Sequence, residues 1–150
     1  MGRVTGLLLF FSIIISGCGN SPMDDHSDVS HYNYDLGFVK AKHDASLSML
    51  EFIAIFQQRQ KDTSFFFSVK AEFTEGNLSE HMWVEVVNIK DKTIRGILGN
   101  QPQMLRKIQL GEQVKLHISE VEDWMIYDMK RDTVLGAHLI RAMGREHLLH

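Results

Sequence analysis

The sequence predicts an α+β fold: an N-terminal amphipathic helix packed on a curved, partly closed antiparallel sheet of about five strands. Three observations carry this reading. Apolar residues recur at helical spacing before residue 60, the period switches to two at Phe65, and the alternating stretches that follow are joined by short turns. No segment between them is long enough for a parallel crossover. The 150 residues allow one ordinary domain.

The first element is an address. Arg3 precedes an apolar run from Leu7 to Ile15, and the small residues Ser16 and Gly17 lead into Cys18. This is the layout of a secretory signal, residues 1–17, and it is too short for a membrane span of about 20 apolar residues. Ile15-Ser16-Gly17-Cys18 resembles the lipobox of bacterial lipoproteins, with Ile where Leu is more usual. The resemblance implies that Cys18 becomes the lipidated first residue of the mature chain, and that the membrane is a partner through that lipid. Each buried methylene of such an anchor contributes about 0.8 kcal/mol. Gly19 after the cysteine implies export to the periplasmic face of the outer membrane if the cell is Gram-negative. The alternative is an ordinary signal peptide beside an unrelated cysteine.

Residues 18–37 read as a flexible polar tether, because 19–35 are small, polar and acidic without an apolar period. Asp24, Asp25, His26, Asp28 and His31 have metal-ligand chemistry, but a flexible set must lose ordering entropy first; a solubilising tether is the simpler reading. The domain is expected over 38–145.

Within it, Met49, Phe52, Ile53 and Phe56 follow i, i+3, i+4, i+7 spacing and predict a helix over 38–60. Its polar face lacks the Lys/Arg bias of a membrane-surface helix, so the apolar face belongs against the sheet. Phe65, Phe67, Val69, Ala71 and Phe73 then form the first strand, and Thr74-Glu75-Gly76-Asn77 a turn. His81–Ile89 is the second strand, Lys90-Asp91-Lys92-Thr93 a turn, and Ile94–Leu98 the third strand. Gly99–Pro102 is a loop, and Met104, Leu105 and Ile108 predict one helical turn before Gly111. Val114–Ile118 and Trp124–Tyr127 are the remaining strands, and Thr133–Met143 is a last element of either type. Gly96 and Gly111 are natural places for bulges or bends.

Composition excludes several functions. Sixteen Lys plus Arg against 19 Asp plus Glu give a formal net charge of −3, which argues against a nucleic-acid partner. One cysteine rules out an internal disulfide or a multi-cysteine metal site. There is no H-E-x-x-H helix, G-x-S-x-G elbow, phosphate loop or G-x-G-x-x-G. No cofactor or metal is expected.

Residues 65–141 resemble the bacterial YegJ-like family, whose domain is of unknown function and carries the number 2314. The pieces are Phe67-Ser68-Val69-Lys70, Glu80-His81-Met82-Trp83-Val84, Gly96-Ile97-Leu98-Gly99-Asn100-Gln101-Pro102, Gly111-Glu112 and Asp123-Trp124. Toward the end, Gly136, Ala137 and Arg141 fit the family, while His138 and Leu139 replace its aromatic and Thr. The resemblance implies location and fold but brings no established activity.

The candidate ligand- or partner-binding residues are therefore Glu80, His81, Trp83, Asn100, Asp123 and Trp124. Neighbours on one strand point to opposite faces, so Glu80 and His81 cannot act as a simple dyad. His81 with Asp123 is the acid–base candidate, against an Asx-type cap for Asp123. Asn100 either fixes the loop or touches a ligand, and the two tryptophans either form an aromatic platform or pack in the core. The leading function is a binding or protein-interaction module displayed in the cell envelope, immunity-like or holding a cell-wall ligand. The alternative is a small envelope hydrolase using His81 and Asp123.

Overall fold

The structure, a computed structural model, describes residues 26–149, with side chains from residue 36 onward. The expected signal segment and Cys18 lie outside the described residues. The chain begins with α1 (His26–Leu47) and α2 (Met49–Arg59). Residues 26–37 of the expected tether are therefore helical, a correction to the flexible reading. The expected single helix over 38–60 is two, broken at Ser48, whose Oγ donates to the Asp44 carbonyl at 2.7 Å. A hydroxyl turned onto the preceding turn competes with regular helix geometry.

Six strands follow: β1 (Phe65–Glu75), β2 (Leu78–Lys90), β3 (Thr93–Leu98), β4 (Gln113–His117), β5 (Val121–Asp128) and β6 (Thr133–Gly136). They form one antiparallel sheet in the order β4-β3-β2-β1-β5-β6. The sheet is open, with β4 and β6 as its edges, so the expectation of partial closure is corrected. The last element proves to be both types, β6 and then a short helix α3 (His138–Ala142). A final turn at Glu146–Leu149 buries Leu149, so packing continues past residue 145.

Period-two burial separates the two faces of the sheet. Phe67, Val69, Ala71, Met82, Val84, Ile94, Leu116, Trp124 and Ile126 point inward and join Ala45, Met49, Phe52 and Phe56 from the helices. Phe67 packs edge-on against Phe52 and Phe56, with centroids 6.0 and 5.1 Å apart, the favoured arrangement for aromatic pairs. On the other face Phe66, Glu72, His81, Glu85, Arg95 and Lys115 are exposed, while Ser68, Lys70, Trp83, Ile97 and Tyr127 are half-buried.

Asp91 and Lys92 both have positive φ in the β2–β3 hairpin, as a type I′ turn requires. The β2–β3 register slips between Val86 and Asn88. The bulge lies beside Gly96, where a Cβ would overlap the Glu85 carbonyl oxygen and the Val84 side chain. Residues 99–112 contain no helical turn at Met104–Ile108. They form an irregular loop that still delivers Leu105 and Ile108 to the core.

Candidate functional site

The motif residues on β2 act mainly on the main chain. Both Glu80 oxygens accept the Gln103 N–H at 3.0 Å, and one also accepts Met104 N–H at 3.1 Å. These bonds hold the exposed carboxylate below its ordinary pKa. Glu75 does the same for Arg106 and Lys107, at 2.8 and 2.9 Å. Two glutamates at the β1–β2 hairpin thus clamp the 99–112 loop by its backbone. Asn100 Oδ1 accepts the Trp83 N–H at 2.6 Å, which ties the start of that loop to β2.

Asp123 is fully buried. The β1–β5 register slips between Lys70 and Ala71, which makes Glu122 the extra residue of a bulge beside it. Asp123 accepts N–H groups from Trp124 (2.9 Å), His138 (3.0 Å) and Leu139 (2.9 Å). The last two open α3, whose amides have no partner within the helix. Burial pushes the carboxyl above its ordinary range, against the pull of the three donors. Gly136 and Ala137 precede α3 with φ of 72° and 57°, and a Cβ on Gly136 would overlap the Trp124 carbonyl oxygen and indole.

His81 meets a different acid. Its Nδ1 lies 2.6 Å from Glu122 Oε2, and Lys42 of α1 holds Oε1 of the same carboxylate. Burial would raise Glu122, but the Lys42 and His81 bonds outweigh it and leave the group below its ordinary value. The structure therefore does not bring His81 and Asp123 together as a pair. Nor do the tryptophans form a platform. Trp124 is buried beside Phe52, and its Nε1 donates to the Ala45 carbonyl and to Ser48 Oγ. Trp83 pairs with Lys70 and Trp124 with Val69, which are neighbours on β1, so the indoles sit on opposite faces. Lys70 Nζ lies 5.9 Å from the Trp83 ring centroid, within cation–π range.

Sequence reasoning missed Lys42, Glu122, Ser48 and His138. His138 Nε2 lies 3.3 Å from Ser48 Oγ, but that hydroxyl sends its single proton to the closer Asp44 carbonyl and accepts from Trp124. A serine engaged in this way has no proton to give a base, so the pair serves packing. Among the described residues, no three His, Cys, Asp or Glu side chains gather as metal ligands.

Arg95 and Lys115, on the exposed sheet face, make no ion pair among the described residues. At the β3–β4 end a cleft of about 460 Å³ is lined by Val87, Asn88, Arg95, Ile97, Gln113 and Lys115, among others.

Comparison with known proteins agrees with the fold's motif content. The model of a family described as "Uncharacterized protein conserved in bacteria (DUF2314)" matches residues 35–148. The "Uncharacterized protein YegJ" of Escherichia coli is 25% identical over 134 residues, 89% of this chain and 84% of that protein. A "Putative ankyrin repeat protein NMB1133/NMB1171" of Neisseria meningitidis serogroup B is 33% identical over 51 residues, 34% of this chain and 20% of that protein. No solved structure matches.

Proposed function

The chain belongs to the DUF2314 family of bacterial proteins, and from that premise we propose that it is a binding module of the cell envelope, tethered by a lipid on Cys18, with its exposed sheet face turned to a protein partner. One observation carries the reading. Glu80, Asn100 and Asp123 spend their acceptors on main-chain N–H groups, whereas on the exposed face the side chains of Val87, Arg95 and Lys115 make no hydrogen bond, ion pair or ring contact among the described residues. Catalysis needs a base within reach of a proton it can take. The acid–base pair the sequence offered, His81 with Asp123, is separated into two unrelated hydrogen-bond sets. The signal, the lipobox-like residues before Cys18 and Gly19 support the envelope location, and a toxin-neutralising role falls within the same reading.

Two measurements test it. A Cys18→Ala protein leaves the membrane fraction; retention there removes the tether. A photo-crosslinking residue at Val87, 58% exposed on the sheet face, captures a defined partner in intact cells, while the same residue at Leu50, 77% exposed on α2, does not. Equal capture at both positions, or none at Val87 under any growth condition, defeats the binding role.

A further inference from the structure

The two edges of the sheet differ in what remains open, and β4 carries the inference. In an antiparallel ladder, bonded pairs alternate with non-bonded ones. The bonds from Ile118 N–H to the Lys92 carbonyl and from Leu98 N–H to the Glu112 carbonyl, both 2.9 Å, set that phase for β3 and β4. Val114 and Leu116 therefore direct their main-chain groups at β3, and Gln113, Lys115 and His117 direct theirs outward. The His117 N–H is already taken by the Glu120 carboxylate. The N–H and C=O groups of Gln113 and Lys115 remain, and no bond occupies them among the described residues.

The side chains beside this open edge have a sign. Arg95 and Lys115 are direct cross-strand partners, so both lie on the exposed face. Like charges placed directly opposite on a sheet are destabilising. Neither makes an ion pair among the described residues, in a protein whose formal net charge is −3. The cleft next to them has an apolar wall of Val87 and Ile97.

We propose that the open edge of β4 takes up an extended acidic peptide as an added strand. Its main chain bonds Gln113 and Lys115, and an Asp or Glu side chain sits over Arg95 and Lys115. A row of unpaired main-chain groups is matched best by another main chain, which supplies affinity, while side-chain complementarity supplies selectivity. The inference rests on the binding-module reading and names the partner's chemistry.

The test uses the full chain in detergent micelles with two fluorescent peptides, Asp-Val-Asp-Val-Asp and Lys-Val-Lys-Val-Lys. Anisotropy shows the acidic peptide binding about tenfold more tightly, and a fall in that preference with added salt. The amide NMR signals of Gln113 and Lys115 shift and gain exchange protection. The double change Arg95→Glu and Lys115→Glu reverses the preference; should that protein not fold, Lys115→Gln alone weakens acidic-peptide binding several-fold. Equal binding of both peptides, no binding, or shifts confined to other strands overturns the proposal and leaves Lys115 as a guard against self-pairing. Partner capture at Val87 in cells with no acidic-peptide binding defeats only this inference. Peptide binding with no capture in cells defeats the proposed binding role in the envelope and leaves the edge site standing.

Discussion

The edge strands β6 and β4 meet solvent in opposite ways. At β6, Arg141 Nε donates to the Gly136 carbonyl at 2.9 Å and Nη2 to the Val134 carbonyl at 3.0 Å. A guanidinium fork thus covers the carbonyls along that edge, and α3, which carries the fork, is anchored by the buried Asp123 carboxylate. At β4 a single carboxylate, Glu120, covers one N–H at the strand's end. Exposed edges invite pairing with other chains, and proteins ordinarily block them. One edge of this sheet is closed by a device that reaches from the core to the surface. Among the described residues, the other keeps its middle free and is flanked by two cations, Arg95 and Lys115, without an ion pair.

The largest expected effect comes from cutting the anchor of the closed edge. Asp123→Ala leaves three N–H groups, two of them buried, without this acceptor, and each buried loss costs about 1–3 kcal/mol. Urea unfolding of this variant should show a loss of about 3–5 kcal/mol; a change below about 0.5 kcal/mol contradicts the anchoring role. Asp123→Asn should also lose stability, because His138 and Leu139 donate to different oxygens and the NH₂ group that replaces one of them cannot accept an N–H.

Next comes the turn that aims α3. Gly136→Ala combines a left-handed φ with overlap on Trp124, and a cost of about 2–4 kcal/mol follows. Near-UV circular dichroism reports whether the Trp124 environment is disturbed, and an unchanged spectrum with unchanged stability refutes the close fit.

Arg141→Ala should cost only about 1 kcal/mol, since its bonds are exposed. Its sharper signature is concentration-dependent self-association in sedimentation velocity, because the β6 carbonyls become available. A variant that stays as the parent does at every concentration shows that the fork does not guard the edge.

The smallest effect is at the loop. Glu75 and Glu80 have folded pKa values below their ordinary 4.5. A depressed carboxylate contributes stability above its unfolded pKa and loses that contribution as pH falls through the folded value. Protection of the Gln103, Met104, Arg106 and Lys107 amides, corrected for intrinsic exchange, should therefore decline below about pH 4.5. Glu80→Gln should flatten the decline at Gln103 and Met104 alone.

Much of this frame was legible in the sequence, for reasons tied to period. The 3.6-residue stripe of Met49, Phe52 and Phe56 and the alternation from Phe65 onward each report a buried face, and both are where they were expected. The start of α1 was silent, because a helix without an apolar stripe leaves no such mark. β6 has only four residues, too few for alternation to be distinguished from the helix that follows. At the candidate site, residue type identified groups that matter but not what they touch. Asp123 stood out beside Trp124, yet two of its three partners are main-chain N–H groups 15 and 16 residues away. His81 was paired with the wrong neighbour of an adjacent acidic couple, because a bulge sets Glu122 and Asp123 to different tasks. The Glu122-Asp123 couple at the head of an apolar strand was the available signal.

The clamps at Glu75 and Glu80 have a consequence for how this surface can change. They grip amide protons, not side chains, and every residue except proline offers the same proton. Gln103, Met104, Arg106 and Lys107 all turn outward. Their identities can be exchanged while the loop's path is kept, so this rim is a surface whose chemistry can drift without loss of its form.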